Sequence, residues 1–187
     1  MYNEVMTYTW NDLVKLEKSR RHAESAVKKG KYKKVAHGVY VDNGQYISEL
    51  EQLFLRYPHA ILTLQSAFAY YDLSDYIPDK YNVATPNNSH MILNEKVSQS
   101  YMDNKIINIG KNKIETKYGY IYIYDKERML IELFRLKAKL PHDYFMEVVS
   151  SYRELKANDE ILFWKVSDYC QRISRGQSIM KKIQEMI

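Results

Sequence analysis

Asp103 and the triplet Glu115-Thr116-Lys117 come nearest, by type and spacing, to a catalytic set. A carboxylate followed by Glu-x-Lys could hold a divalent cation between the two acids, with the lysine stabilising charge beside an attacking water, as metal-dependent nucleases do. The same residues alternate with Ile114 and read equally as the exposed positions of a strand. His22, His37, His59, His90 and His142 show no ligand spacing. Cys170 is the single cysteine, and its helical surroundings suit a buried thiol. No GxGxxG, P-loop, GxSxG or HExxH stretch is present. The expectation is a protein that is no enzyme, with no cofactor and no metal site. A nuclease using Asp103, Glu115 and Lys117 stands as the enzymatic alternative.

The second chemistry is electrostatic. Between Ser19 and Lys34 stand Arg20, Arg21, Lys28, Lys29, Lys31, Lys33 and Lys34 against one carboxylate, Glu24. That local excess is larger than the net charge of the whole chain, +5, so the remainder is close to neutral. A concentrated basic patch suits a polyanion, and duplex DNA is the obvious one. The pattern also reads as a solvated basic helix beside a hairpin that merely packs.

The elements that must position these charges are legible. Ser19 can cap a helix in which Ala23, Ala26 and Val27 form a narrow apolar stripe, with Arg21, Ser25 and Lys28 opposite. Gly30 can end it. Tyr32 to Ala36 and Val39 to Val41 read as strands joined by a tight turn at His37-Gly38. Thr9 can cap a preceding helix over 10–18, with Trp10, Leu13, Val14 and Leu16 as candidate core. Two helices and a hairpin, in this order, are those of a short winged helix-turn-helix over residues 1–45. Only Met1 to Tyr8 is left for the helix that usually precedes the pair. That helix is then very short, or the module takes support from elsewhere in the chain.

Residues 46–187 predict a small mixed sheet followed by a helical bundle, so the fold class is α+β. Helices are expected over 46–56, 61–71, 126–137, from Pro141 through Val149, from a cap at Asn158 or Asp159 through Tyr169, and over 174–187. Strands are expected over 81–85, 105–109 and 119–124, with 114–118 a further candidate and 91–104 ambiguous. Acidic residues at Asp125 and Glu127 complement a helix dipole, and Arg128 is expected to anchor that helix to the sheet by a salt bridge. Arg172, Arg175, Lys181 and Lys182 offer a second basic face or a solvated helix surface. The 18 tyrosines suit small domains and interfaces, because each ring covers apolar surface and keeps a polar tip. No apolar run approaches a membrane span and the N-terminus lacks the features of a signal peptide, so a cytoplasmic protein is expected.

Three segments carry a resemblance to a known family. GKYKKVAHGVYV is close to G-x-hydrophobic-x-x-V-x-x-G-V-Y-V. LQSAFAYYDLSDYIPDKYNVATP has a serine-alanine helix, then a leucine, a proline and a strand. IYIYDKERMLIELFRLKAKLPHDYFMEVVSSY has a strand, then D-x-E-R, then a helix and a tyrosine-ended helix. In that order they span almost the entire chain, which resembles the AbiEi antitoxins of bacterial type IV (abortive infection, phage defence) toxin–antitoxin systems. The resemblance implies a non-enzymatic antitoxin that neutralises a nucleotidyltransferase-like toxin, classically without a stable complex. It also implies a transcriptional autorepressor that binds inverted repeats in its own promoter. Carried over to this sequence, the DNA-binding candidates are Arg20, Arg21, Ser25 and Lys28 on the helix and Lys33, Lys34 and His37 on the wing. Residues 46–187 would be the antitoxin domain. The rival reading is a protein-interaction module without DNA binding, its tyrosine-rich second part making the contact.

Overall fold

The computed structural model describes residues 7–187, an α+β chain with two small sheets. By contact it divides into two units. The first runs to His59 and takes in Lys113–Ile121; the second holds Ala60–Asn112 and Tyr122–Ile187. A boundary after residue 45 therefore falls inside the first unit.

The first unit begins with β1 (Tyr8–Thr9) and α1 (Trp10–Leu16). The Thr9 hydroxyl accepts from the Asp12 amide, and the Asp12 carboxylate accepts from the Thr9 amide, a reciprocal cap that satisfies two free donors. Residues 1–6, where most of any preceding helix would fall, lie outside the described residues. Ser19 accepts from the His22 amide and starts α2 (Arg20–Lys28). Gly30, at φ +76°, turns the chain out of α2 into β2 (Tyr32–Ala36). The turn at His37-Gly38, with Gly38 at φ +72°, leads into β3 (Val39–Asp42).

These strands form an antiparallel sheet in the order β1-β3-β2. One face carries Tyr8, Tyr32 and Tyr40 and packs on Leu13, Ala23 and Ala26 of the two helices. Leu13 is fully buried, whereas Leu16, expected beside it, is 55% exposed because the helix ends there. The other face carries Val35, Val39 and Val41 and packs with Ile47, Leu55 and Tyr118. Leu55 belongs to α3 (Glu49–Arg56), which Ser48 and Glu51 cap reciprocally. The basic module thus does take support from elsewhere: α3 and the 113–121 segment cover the sheet face turned away from α1 and α2. Each fully buried aliphatic or aromatic side chain on that face contributes about 1.5–3 kcal/mol.

The second unit is built on a mixed sheet of β4 (Ile61–Leu62), β5 (Tyr81–Pro86), β6 (Val97–Met102), β7 (Lys111–Thr116) and β8 (Gly119–Tyr124), in the order β6-β5-β4-β8-β7. The distal part of the β7–β8 hairpin belongs to the first unit. Two expectations are corrected. Residues 61–71 are not one helix: Ile61 and Leu62 pair with Ala84 and Val83 and with Ile123 as an inner strand, and only then does α4 (Leu64–Tyr70) begin. Residues 105–109 are not a strand but successive turns. The Asp103 carboxylate accepts from the Lys105 amide, and the carbonyls of Ile106, Ile107 and Ile109 go to side chains of Arg128 and Tyr124. The strand next to β5 is instead β6, in the stretch where the pattern was ambiguous.

The helices α5 (Lys126–Arg135), α6 (His142–Ala157), α7 (Phe163–Arg172) and α8 (Gly176–Met186) follow. Asn158 and Asp159 end α6 rather than cap α7. Residues 127–134 of α5 are all buried, which places that helix at the centre of the unit. Two tyrosines contribute core volume with satisfied tips: buried Tyr124 donates to the Ile107 carbonyl and buried Tyr152 to the Lys126 carbonyl. Among the described residues no helix is long and apolar enough to cross a membrane.

Candidate nucleic-acid interface

The apolar stripe of α2 fixes its exposed face. Ala23 and Ala26 are buried against α1, so Arg21, Ser25 and Lys28, at i, i+4 and i+7, stand on the opposite side. Arg20, Arg21 and Lys28 are exposed and Ser25 is half-buried. At nine residues α2 is roughly 13 Å long. Any α-helix is about 10–12 Å across with its side chains, the dimension that must match a major groove about 12 Å wide.

On the hairpin, Lys33, Lys34 and His37 are all exposed. The ladder nevertheless separates the two lysines. Lys34 lies opposite Tyr40, on the face that packs against α1 and α2, and Lys33 lies opposite Val41, on the face that packs against Ile47 and Tyr118. Neighbours along a strand point to opposite sides. Lys34 and His37 share a shallow groove of about 420 Å3 with Arg56 and Tyr57. Lys33 lines a different depression, with Gln45, Tyr46 and Glu49.

Arg56 is the residue the sequence did not reveal. Its Nε donates to the Val35 carbonyl at 3.1 Å, which seats the guanidinium beside the hairpin. As the last residue of a core-type helix it carries no local signal; only the packing of α3 on β2 brings it to Lys34 and His37.

Lys31 is the exception in the basic run, because it is neutralised. The Glu17 carboxylate accepts from Lys31 Nζ and, at 2.8 Å, from the Tyr32 hydroxyl. The bond from Lys31, then that from Tyr32, holds the Glu17 carboxyl below the usual carboxylate range, and the bond to Glu17 raises Lys31. Burial, then the hydrogen bond to Asp42, pushes the Tyr8 phenol up. Among the described residues Arg20, Arg21, Lys28, Lys29, Lys33 and Lys34 form no ion pair, so their charge faces solvent.

The residues of the nuclease alternative lie in different units. Asp103 is in the turn after β6, and exposed Glu115 and Lys117 are at the far end of the β7–β8 hairpin. No group of three or more His, Cys, Asp or Glu among the described residues is arranged to hold a metal ion. Cys170 is buried, and burial raises its thiol above the ordinary range. Comparison with protein-family models and with curated proteins finds no match to this chain.

Proposed function

We propose that this chain is the antitoxin of a bacterial type IV toxin–antitoxin system, with a winged helix-turn-helix that represses its own promoter. The observation that carries the DNA-binding part is the set of cations on α2 that have no carboxylate partner among the described residues, beside the hairpin that presents Lys34 and His37. The reading places Arg21, Ser25 and Lys28 toward base edges and phosphates of a major groove, and Arg20, Lys34, His37 and Arg56 on flanking phosphates. A duplex presents about one negative charge per 1.7 Å of axis, so a surface of this kind binds it with strong salt dependence. The antitoxin part rests on the resemblance of 46–187 to the family's second domain. The setting is cytoplasmic and the functional partner a nucleotidyltransferase-like toxin.

The test is co-expression of the full chain with the neighbouring open reading frame, alongside a gel-shift titration of the promoter. Growth rescue and a promoter shift that Arg21→Ala/Lys28→Ala abolishes are expected. No rescue removes the antitoxin reading, and no shift removes the repressor. The protein-interaction reading has its own supporting observation: Ile77 and Leu93 are 83% and 82% exposed in the second unit, a high exposure for aliphatic side chains. Rescue without a promoter shift would favour it.

A further inference from the structure

A cleft of about 320 Å3 opens in the second unit, lined among others by Thr63, Ser100, Tyr101, Glu132, Arg135 and Lys139. Behind it lies a buried ion array. Arg128 is fully buried and donates to the carbonyls of Ile106 and Ile109. Glu132, 2% exposed, accepts on one oxygen from Arg128 Nε at 2.9 Å and from Arg135 Nη1 at 2.8 Å, with Arg128 Nη2 in ion-pair contact at 2.8 Å. Removing such charges from water costs several kcal/mol per ion, and apolar side chains would fill the space at lower cost. The array reaches solvent through Arg135, whose side chain is 31% exposed.

Glu132 and Met102 Sδ fix Arg135 Nη1, and the other guanidinium N–H groups have no acceptor among the described residues. Lys139 is exposed at the wall and forms no ion pair among the described residues. Three cations therefore stand against one carboxylate. Thr63 is 3% exposed, yet its hydroxyl donates only to Met129 Sδ at 3.7 Å, a weak acceptor, and does not cap α4. Leu64, next to it, holds φ +49°, a left-handed conformation that costs a branched residue energy and persists where surroundings enforce it, ligand clamps among them. Cations at the C-terminal end of α5 would complement its carbonyls. That accounts for Arg135 and Lys139 but not for the buried hydroxyl or the strained leucine.

We propose that this cleft binds a small phosphate-bearing ligand. Arg135 offers its guanidinium edge to two phosphoryl oxygens, a match of planar fork to tetrahedral anion that lysine cannot reproduce. Lys139 adds charge, and the Thr63 and Ser100 hydroxyls donate beside it. The volume is at the low end for ligand pockets, which limits the body carried by the phosphate to about the size of a mononucleotide. This site is independent of the DNA reading.

The test is calorimetric titration of the full chain with inorganic phosphate and with adenosine monophosphate, at fixed ionic strength. Saturable one-to-one binding of at least one probe is expected. Arg135→Gln weakens it about tenfold or more. Lys139→Gln, at an exposed position, weakens it severalfold without moving the thermal midpoint, which keeps the test valid should Arg135→Gln unfold. Lys28→Ala/Lys34→Ala leaves it unchanged. Tighter binding of the nucleotide assigns a nucleotide site; equal binding assigns the phosphate alone. No saturable binding of either probe, or binding that the Lys28/Lys34 variant loses and Lys139→Gln keeps, overturns the proposal.

Discussion

Lys33 and Lys34 are adjacent and chemically identical, and the strand ladder gives them different surroundings. Lys34 leaves the hairpin on the α2 side and shares a groove with Arg56; Lys33 leaves it toward Gln45 and Glu49. Each phosphate contact removed lowers the slope of log K against log salt by about 0.9. Lys28→Ala, Lys34→Ala and Arg56→Ala are each expected to flatten the slope of a promoter titration by about that amount, with Lys33→Ala nearly silent. Equal effects from the two lysines would place the DNA across both faces of the hairpin. In the second unit the sensitive residue is Glu132, because its loss leaves Arg128 charged and buried. Glu132→Ala is expected to cost about 3–5 kcal/mol in urea unfolding, and Arg128→Met/Glu132→Leu to recover most of it. A mild single variant would mean that water reaches Arg128.

At the scale of elements, α1 is tied to β2 through Glu17, which follows the last turn of the helix and binds Lys31 and Tyr32. Its carboxyl is depressed in the folded state, chiefly by the bond from Lys31. Stability from a depressed carboxyl is present above the unfolded value and is lost as pH falls through the folded one. The thermal midpoint of the wild type is therefore expected to exceed that of Glu17→Gln at neutral pH, with the gap closing through the acid range. A gap that persists in acid would assign the effect to packing. Helices α1 and α2 and the β2–β3 hairpin were legible because their signals are local: caps at Thr9 and Ser19, a glycine stop at Gly30 and a tight turn at His37-Gly38; β1, two residues long, was not. The failures came where distant groups decide. Ile61 and Leu62 are buried in a sheet whose other strands lie some twenty or sixty residues away, so an apolar run reads as helix or strand alike. The isoleucines of 105–109 suit a strand by residue type, but their carbonyls are taken by side chains of Tyr124 and Arg128. The types and exposure of the basic candidates were readable; the separation of Lys33 from Lys34 and the arrival of Arg56 depend on pairing and packing.

For the whole molecule, the consequence is that residues 1–45 pack one face of their sheet on residues outside that span. Their sheet buries Val35 and Val41 against Ile47 and Tyr118, and Tyr118 enters from the far end of the β7–β8 hairpin. The Tyr118 hydroxyl donates to the Tyr46 carbonyl at 2.6 Å, and burial raises its pKa above the ordinary phenol value. A fragment of residues 1–45 lacks both partners of that apolar face and is well below the size at which a single core usually suffices. It is expected to give a collapsed, narrow amide spectrum by NMR and no saturable promoter binding, although it holds every cation of α2 and the hairpin. Adding α3 in a fragment of residues 1–59 restores Ile47 and Leu55 but not Tyr118, so partial dispersion is expected. The complementary fragment 46–187 strands α3 and Tyr118 without the hairpin they cover, and loss of toxin rescue by it would not separate the two functions. On the proposed reading, full-length Arg21→Ala/Lys28→Ala is the variant expected to separate them, because both side chains are exposed and neither belongs to the apolar faces of the sheet. Rescue retained with promoter binding lost is the expected result. A well-dispersed, DNA-binding 1–45 fragment would show that the α1–α2 face of the sheet alone is enough to hold the fold.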